Sequence, residues 1–152
     1  MKKLFFILTI VVGGAFSMNA QSYEYKTITS VESIVPNGLG RSRIIDSSEK
    51  RDYKNFTSGR TDGKDDKRNK SKRSKIRIKN FEETKLLNFF NLGGIRFQNI
   101  AANDVVITSK LNAMAEEGWT LAFTTSAVES YGGKGDNNGI FITRFIFKRL
   151  KQ

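Results

Sequence analysis

Fifteen carboxylates, twenty-six basic side chains and no histidine or cysteine set the limits of what this chain can do chemically. Without histidine no side chain titrates near neutral pH unperturbed, and no Ser-His triad can form. Without cysteine there is no thiol nucleophile, and without either residue no usual zinc site. Carboxylate pairs and Ser-Lys dyads remain. Glu116 and Glu117 are adjacent on an expected helix and diverge, which suits a solvated helix end better than a shared proton. Asp65-Asp66 falls in a segment with nothing to hold catalytic geometry. A hydrolase would need two of Glu24, Glu32, Asp104 and Glu129 within reach of each other. The residue types therefore point away from an enzyme, with no catalytic, metal or cofactor residues assigned and no cofactor expected.

Two glycine-rich readings fail on spacing and context. Gly133 to Gly139 is one residue too long for a dinucleotide loop and leads into a strand, so no helix N-terminus would receive a phosphate. As a calcium loop it would place Lys134 at the first ligand position and Phe145 at the last. It reads as a hairpin loop. Asn55-Phe56-Thr57 fits a glycosylation acceptor, relevant only in a eukaryotic secretory route.

One feature has a positive binding chemistry. From Arg60 to Lys79, ten Lys or Arg stand against three Asp, a net +7 in twenty residues. Lys67, Arg68, Lys70, Lys72, Arg73 and Lys75 would attract polyanions by releasing their counterions. Such partners are acidic polysaccharide, lipid head groups or extracellular DNA. No aromatic residue lies between Gly59 and Lys75, so base stacking is not supplied. The alternative is a solvated loop without a partner.

The elements that must carry these residues follow from periodicity. Tyr23 to Val35 alternates, with Tyr23, Tyr25, Thr27, Thr29 and Val31 on one face and Glu24, Lys26, Ser30 and Glu32 on the other. Pro36-Asn37-Gly38 signals a turn, and Arg41 to Asp46 fits the returning strand. Residues 47–74 are nearly devoid of apolar side chains and read as a disordered, basic insertion, because they bury too little to offset ordering entropy.

Beyond it, Ile76 and Ile78 alternate with charges as a short strand, and Asn80 to Glu83 has the form of a helix entrance. Leu86 to Phe90 fits a short helix or a buried strand, and Ile95 to Ile100 a strand. Asn103 to Glu117 predicts the main helix, with Asn103 as N-cap and Ile107, Leu111, Met114 and Ala115 on one face. Gly118 suits its left-handed exit. Trp119, Leu121, Phe123, Thr125 and Ala127 then alternate as a strand beneath that helix. Ile140 to Leu150 is the last strand, with Phe141, Phe145 and Phe147 on one face. The expected architecture is α+β, a small antiparallel sheet with one main helix packed on it.

The N-terminus bears on compartment. Lys2 and Lys3, an apolar run from Leu4 to Val12, Gly13-Gly14 and then small residues to Ala20 have the layout of a signal peptide. The run is short of the roughly 18 apolar residues a span requires. Cleavage after Ala20 is preferred to cleavage after Ser17. It would leave residues 21–152, with 21–46 the opening hairpin and 75–152 the remainder of the domain. Loss of Lys2 and Lys3 takes the formal charge from +11 to +9. The expected location is periplasmic or secreted, with no later membrane span and no disulfide to staple the fold.

Three segments also resemble a small bacterial family known as domain of unknown function 4177. They are Tyr23-Glu24-Tyr25-Lys26 in the opening strand, Leu111-Asn112 through Gly118-Trp119-Thr120-Leu121 at the helix exit, and Phe145-Ile146-Phe147-Lys148-Arg149 in the closing strand. Thr120 stands where that family usually has Glu, and residues 32–99 are far longer than its linker. The resemblance implies a compact sheet-plus-helix domain and no activity. The functional expectation is a non-catalytic interaction or structural module of the bacterial envelope, docking an envelope partner. The alternative is a polyanion-binding protein acting through residues 60–79.

Overall fold

A computed structural model of the chain describes residues 21–33, 42–91, 93–129 and 139–151. The expected signal peptide, the Pro36-Asn37-Gly38 turn and most of the Gly133–Gly139 loop lie outside them. The fold is α+β. One five-stranded antiparallel sheet has the order β5-β2-β1-β9-β8, built from β1 (Tyr23–Ser33), β2 (Arg43–Asp46), β5 (Glu82–Lys85), β8 (Thr120–Glu129) and β9 (Ile140–Leu150). Two small ribbons accompany it, β3 (Gly59–Thr61) with β4 (Lys64–Lys67) and β6 (Phe90–Asn91) with β7 (Gly94–Ile95). Among the described residues the α-helices are a single turn, α1 (Arg73–Ile76), and the twenty-residue α2 (Phe97–Glu116).

The first and last long strands form the centre of the sheet. β1 and β9 pair along their whole lengths, from Tyr23 opposite Leu150 to Ser33 opposite Ile140. Residues opposite each other in an antiparallel pair share a face. Ile28, Phe145 and Phe147 therefore point the same way, joined by Ile44 of β2. α2 covers that face with Met114, and Val106, Ile107 and Leu111 pack beside it. Trp119 and Leu86 complete the buried cluster. The exit from α2 is a Schellman motif. Gly118 takes φ 82°, its N–H reaches the carbonyl of Ala115, and the N–H of Trp119 reaches that of Met114.

The covered face of β1 is the one bearing Glu24, Lys26, Ile28, Ser30 and Glu32, its charges met by Arg149 of β9, Asp46 of β2 and Asn103 of α2. The Tyr23, Tyr25, Thr27, Thr29 and Val31 face is the open one, and Tyr25 is 66% exposed.

Several local expectations are corrected. Residues 47–74, expected to be disordered, carry a 3-10 turn at Tyr53–Phe56, the β3–β4 ribbon and α1. Their order is local and polar: Asp52 accepts from the Lys54 N–H, and Asn69 and Ser71 both donate to the Asn55 carbonyl. Ile76 ends α1 instead of opening a strand, the Arg77 N–H closing the turn on the Arg73 carbonyl. The helix entrance expected at Asn80 is replaced by β5, which pairs with β2 through Asp46 opposite Glu82 to Arg43 opposite Lys85. Asn80 anchors that return, its N–H on Glu49 and its carbonyl accepting from Ser47.

Leu86 prolongs the strand by donating to the Ser42 carbonyl. Residues 97–100, expected as strand, are the first turn of α2, opened by the Arg96 carbonyl, which accepts from Asn99 and Ile100. Asn103 is therefore a buried helix residue and not a cap. β8, expected as a strand beneath α2, is exposed over its whole length.

Candidate functional site

β8 is the least protected element of the sheet. All ten of its residues are exposed, Phe123 at 61%, Val128 at 57% and Leu121 at 45%. Its sequence, Thr120-Leu-Ala-Phe-Thr-Thr-Ser-Ala-Val-Glu129, favours a pleated strand through β-branched and aromatic residues and holds one charge. An irregularity between Leu121 and Phe123 breaks the expected alternation, so Leu121 opposes Phe147 on the helix side while Phe123 opposes Ile146 on the open side. From Phe123 to Glu129 the register with β9 is unbroken. Among the described residues nothing pairs with the outer edge of β8.

The other edge is built differently. β5 has four residues, Glu82-Glu83-Thr84-Lys85, and Glu83 ion-pairs with Arg43 of β2. Short length and charge are the usual protections of an edge strand. β8 has neither, only the irregularity near one end.

The three segments that carry the family resemblance meet beside the start of β8. Arg149 ion-pairs with Glu24, donates 3.2 Å to the carbonyl of Glu117, and lies 4.2 Å from the centre of the Trp119 ring. Opening strand, helix exit and closing strand are thereby tied through one guanidinium. The Arg149 hydrogen bond holds the Glu24 carboxyl below the ordinary range. Lys148, on the open face, sits 5.2 Å over the Tyr23 ring. This junction is saturated by its own contacts and has a structural role.

The basic residues are distributed along the insertion. Lys67 ends β4, Arg68 and Lys70 lie between β4 and α1, Lys72 caps α1, and Arg73 and Lys75 are within it. All six are exposed. Exposure alternates from Arg68 to Lys72, with Asn69 and Ser71 partly buried. Asn69 receives the Ser58 hydroxyl as acceptor for its N–H at 2.9 Å and donates its amide to Asn55 at 2.6 Å, and Ser71 donates to Asn55 at 3.0 Å. With these two side chains pinned inward, the alternating Arg68, Lys70 and Lys72 are left exposed.

The four carboxylates that a hydrolase would draw on lie in β1, α2 and β8. Glu24 is held by Arg149, Glu32 accepts from the amide of Asn103, Asp104 is exposed on α2, and Glu129 ends β8 on the face opposite Glu32. Among the described residues no cluster of three or more carboxylates could hold a metal. Among the described residues one charged side chain, Asp46, is buried, and that was not visible in the sequence. Asp46 Oδ2 accepts from Lys26 at 3.0 Å and Lys110 at 2.8 Å. Burial opposes its ionisation, but the hydrogen bonds from Lys110 and Lys26 prevail and hold the carboxyl below its usual range. An open groove of about 540 Å³ beside it is charge-balanced, with Lys79, Glu82 and Glu117 completing its rim.

Asn103 is a second polar clamp, its amide accepting from the Leu87 N–H at 2.8 Å and donating to the Leu87 carbonyl at 2.8 Å and Glu32 at 2.9 Å. Among the described residues no helix is long and apolar enough to cross a membrane.

Comparison with models of protein families, with curated proteins and with solved structures found no match.

Proposed function

We propose that this chain is an exported, non-catalytic interaction module of the bacterial envelope that docks a protein partner along β8. The observation that carries the reading is a ten-residue edge strand exposed over its whole length, displaying Leu121, Phe123 and Val128. Exposed apolar surface and unpaired strand edges mark sites of association. The leader-like layout of residues 1–20 supports export, and the lack of His and Cys supports a non-catalytic role. The resemblance to the domain of unknown function 4177 family supports a compact module.

A photo-reactive residue placed at Thr125 in β8, with Thr84 of β5 as control, tests the reading in envelope preparations. Adducts specific to position 125 are expected. Equal labelling from both positions, or none from 125, overturns it.

A second reading is favoured by the exposed, alternating Arg68, Lys70 and Lys72. These residues bind an anionic polymer, with affinity falling steeply as salt rises. Deleting residues 60–79 is expected to abolish retention on heparin. Unchanged retention eliminates this reading.

A further inference from the structure

We infer that the partner of β8 is a second copy of this chain, paired antiparallel through the two β8 edges to give one ten-stranded sheet. The inference rests on the reading of β8 as a docking edge and names its occupant.

Self-pairing demands a strand that is complementary to itself, and β8 meets that demand. About an axis at Thr125, Thr124 falls opposite Ser126 and Phe123 opposite Ala127, with no charged residue in the paired core. The unbroken register from Phe123 to Glu129 keeps these partners on matching faces, Phe123 and Ala127 on the open one. Glu129, the strand's single charge, falls outside the central pairs, so no like charges meet.

The charge layout agrees. The chain's positive excess is concentrated in residues 60–79, and that insertion is rooted between β2 and β5, where Ser47 and Glu49 bind Asn80. β5 lies four strand spacings from β8, about 19 Å, or more than two Debye lengths at physiological salt. Pairing through β8 places the two insertions at opposite ends of the joined sheet. Pairing through β5 would crowd them together.

The sequence supplies a clean test, because the chain has no cysteine. Residues opposite each other across antiparallel strands have Cα atoms roughly 4.5–5.5 Å apart, within the span of a disulfide. With oxidised glutathione as oxidant, the full mature Thr125→Cys variant is expected to form a linked dimer. Thr84→Cys on β5 is expected to remain uncrosslinked. Sedimentation of the unmodified chain is expected to show a monomer–dimer equilibrium, and Thr125→Lys, which sets two cations at the axis, to raise the dissociation constant at least tenfold.

Circular dichroism of Thr125→Lys identifies a folding failure, in which case the Thr125→Cys result decides. A chain that stays monomeric and uncrosslinked, while position 125 still labels a different envelope protein, overturns the second copy and leaves the docking reading intact. A dimer that ignores Thr125→Lys and crosslinks through Thr84→Cys overturns both.

Discussion

The two sides of this sheet invert the simple rule that polar groups face water and apolar groups do not. On the covered side, β1 and β2 bury Ser30 and Asp46, Ser42 is buried just before β2, and the helix itself buries Asn103. On β8, Leu121, Phe123 and Val128 stand in solvent. The covered side tolerates polar residues largely because they are matched: Asp46 Oδ2 by two lysines, Asn103 by the Leu87 backbone and Glu32, Ser42 by Asn88 at 2.6 Å. Asp46 Oδ1 is buried without a hydrogen bond among the described residues. Matching specifies where helix, strand and loop sit relative to one another. β8 is fixed by its pairing with β9 and by the Ser126–Thr143 hydroxyl contact, and its large apolar side chains are left exposed.

The difference can be broken or sharpened by mutation. Met114 is fully buried between helix and sheet, and Met114→Ala is expected to lower unfolding free energy by about 3 kcal/mol in denaturant titration. Asp46→Asn leaves Lys26 and Lys110 without their carboxylate and is expected to cost about 2 kcal/mol. That pair of ion bonds also has a pH signature. The Asp46 carboxyl titrates lower folded than unfolded, so its contribution is complete above the unfolded value near pH 4. It is lost as pH falls further, through the folded value. Stability of Asp46→Asn, followed by thermal melts from pH 6 to pH 2, is expected to be flatter in that window than that of the parent.

Smaller effects follow at the boundary and the edge. Gly118→Ala is expected to cost about 1 kcal/mol. A Cβ there meets nothing within 4 Å, so the cost is that of a left-handed backbone alone. Phe123→Ser on β8 is expected to change monomer stability by less than about 0.5 kcal/mol. A loss comparable to that of Met114→Ala would mean that β8 is packed within its own chain, and the contrast between the two sides would fail.

Long elements with one-sided burial were legible from periodicity. β1 and β9 follow the alternations at Tyr23 and Ile140, and the helix exit at Gly118 follows from the residue that tolerates φ 82°. Short segments were not. The capping pattern at Asn80 to Glu83 has the same residues a β edge can use once Arg43 stands opposite, and local propensity yields to that cross-strand partner. Asn103 has the type of an N-cap, but three contacts from distant residues hold it seven residues into a helix that begins at Phe97. The basic residues of the candidate polyanion site were visible as composition. Their alternating exposure depends on Asn69 and Ser71 finding Asn55 and Ser58.

By itself the amino-acid order determined the α+β class, the central strands, the end of the main helix and the kinds of chemistry excluded, because these depend on side-chain type and local spacing. Tertiary structure alone decided which face of β1 is covered, that Lys26, Asp46 and Lys110 share one site, and that β8 is exposed along its length. Those outcomes depend on which distant residues come to lie opposite one another, and no period along the chain encodes that.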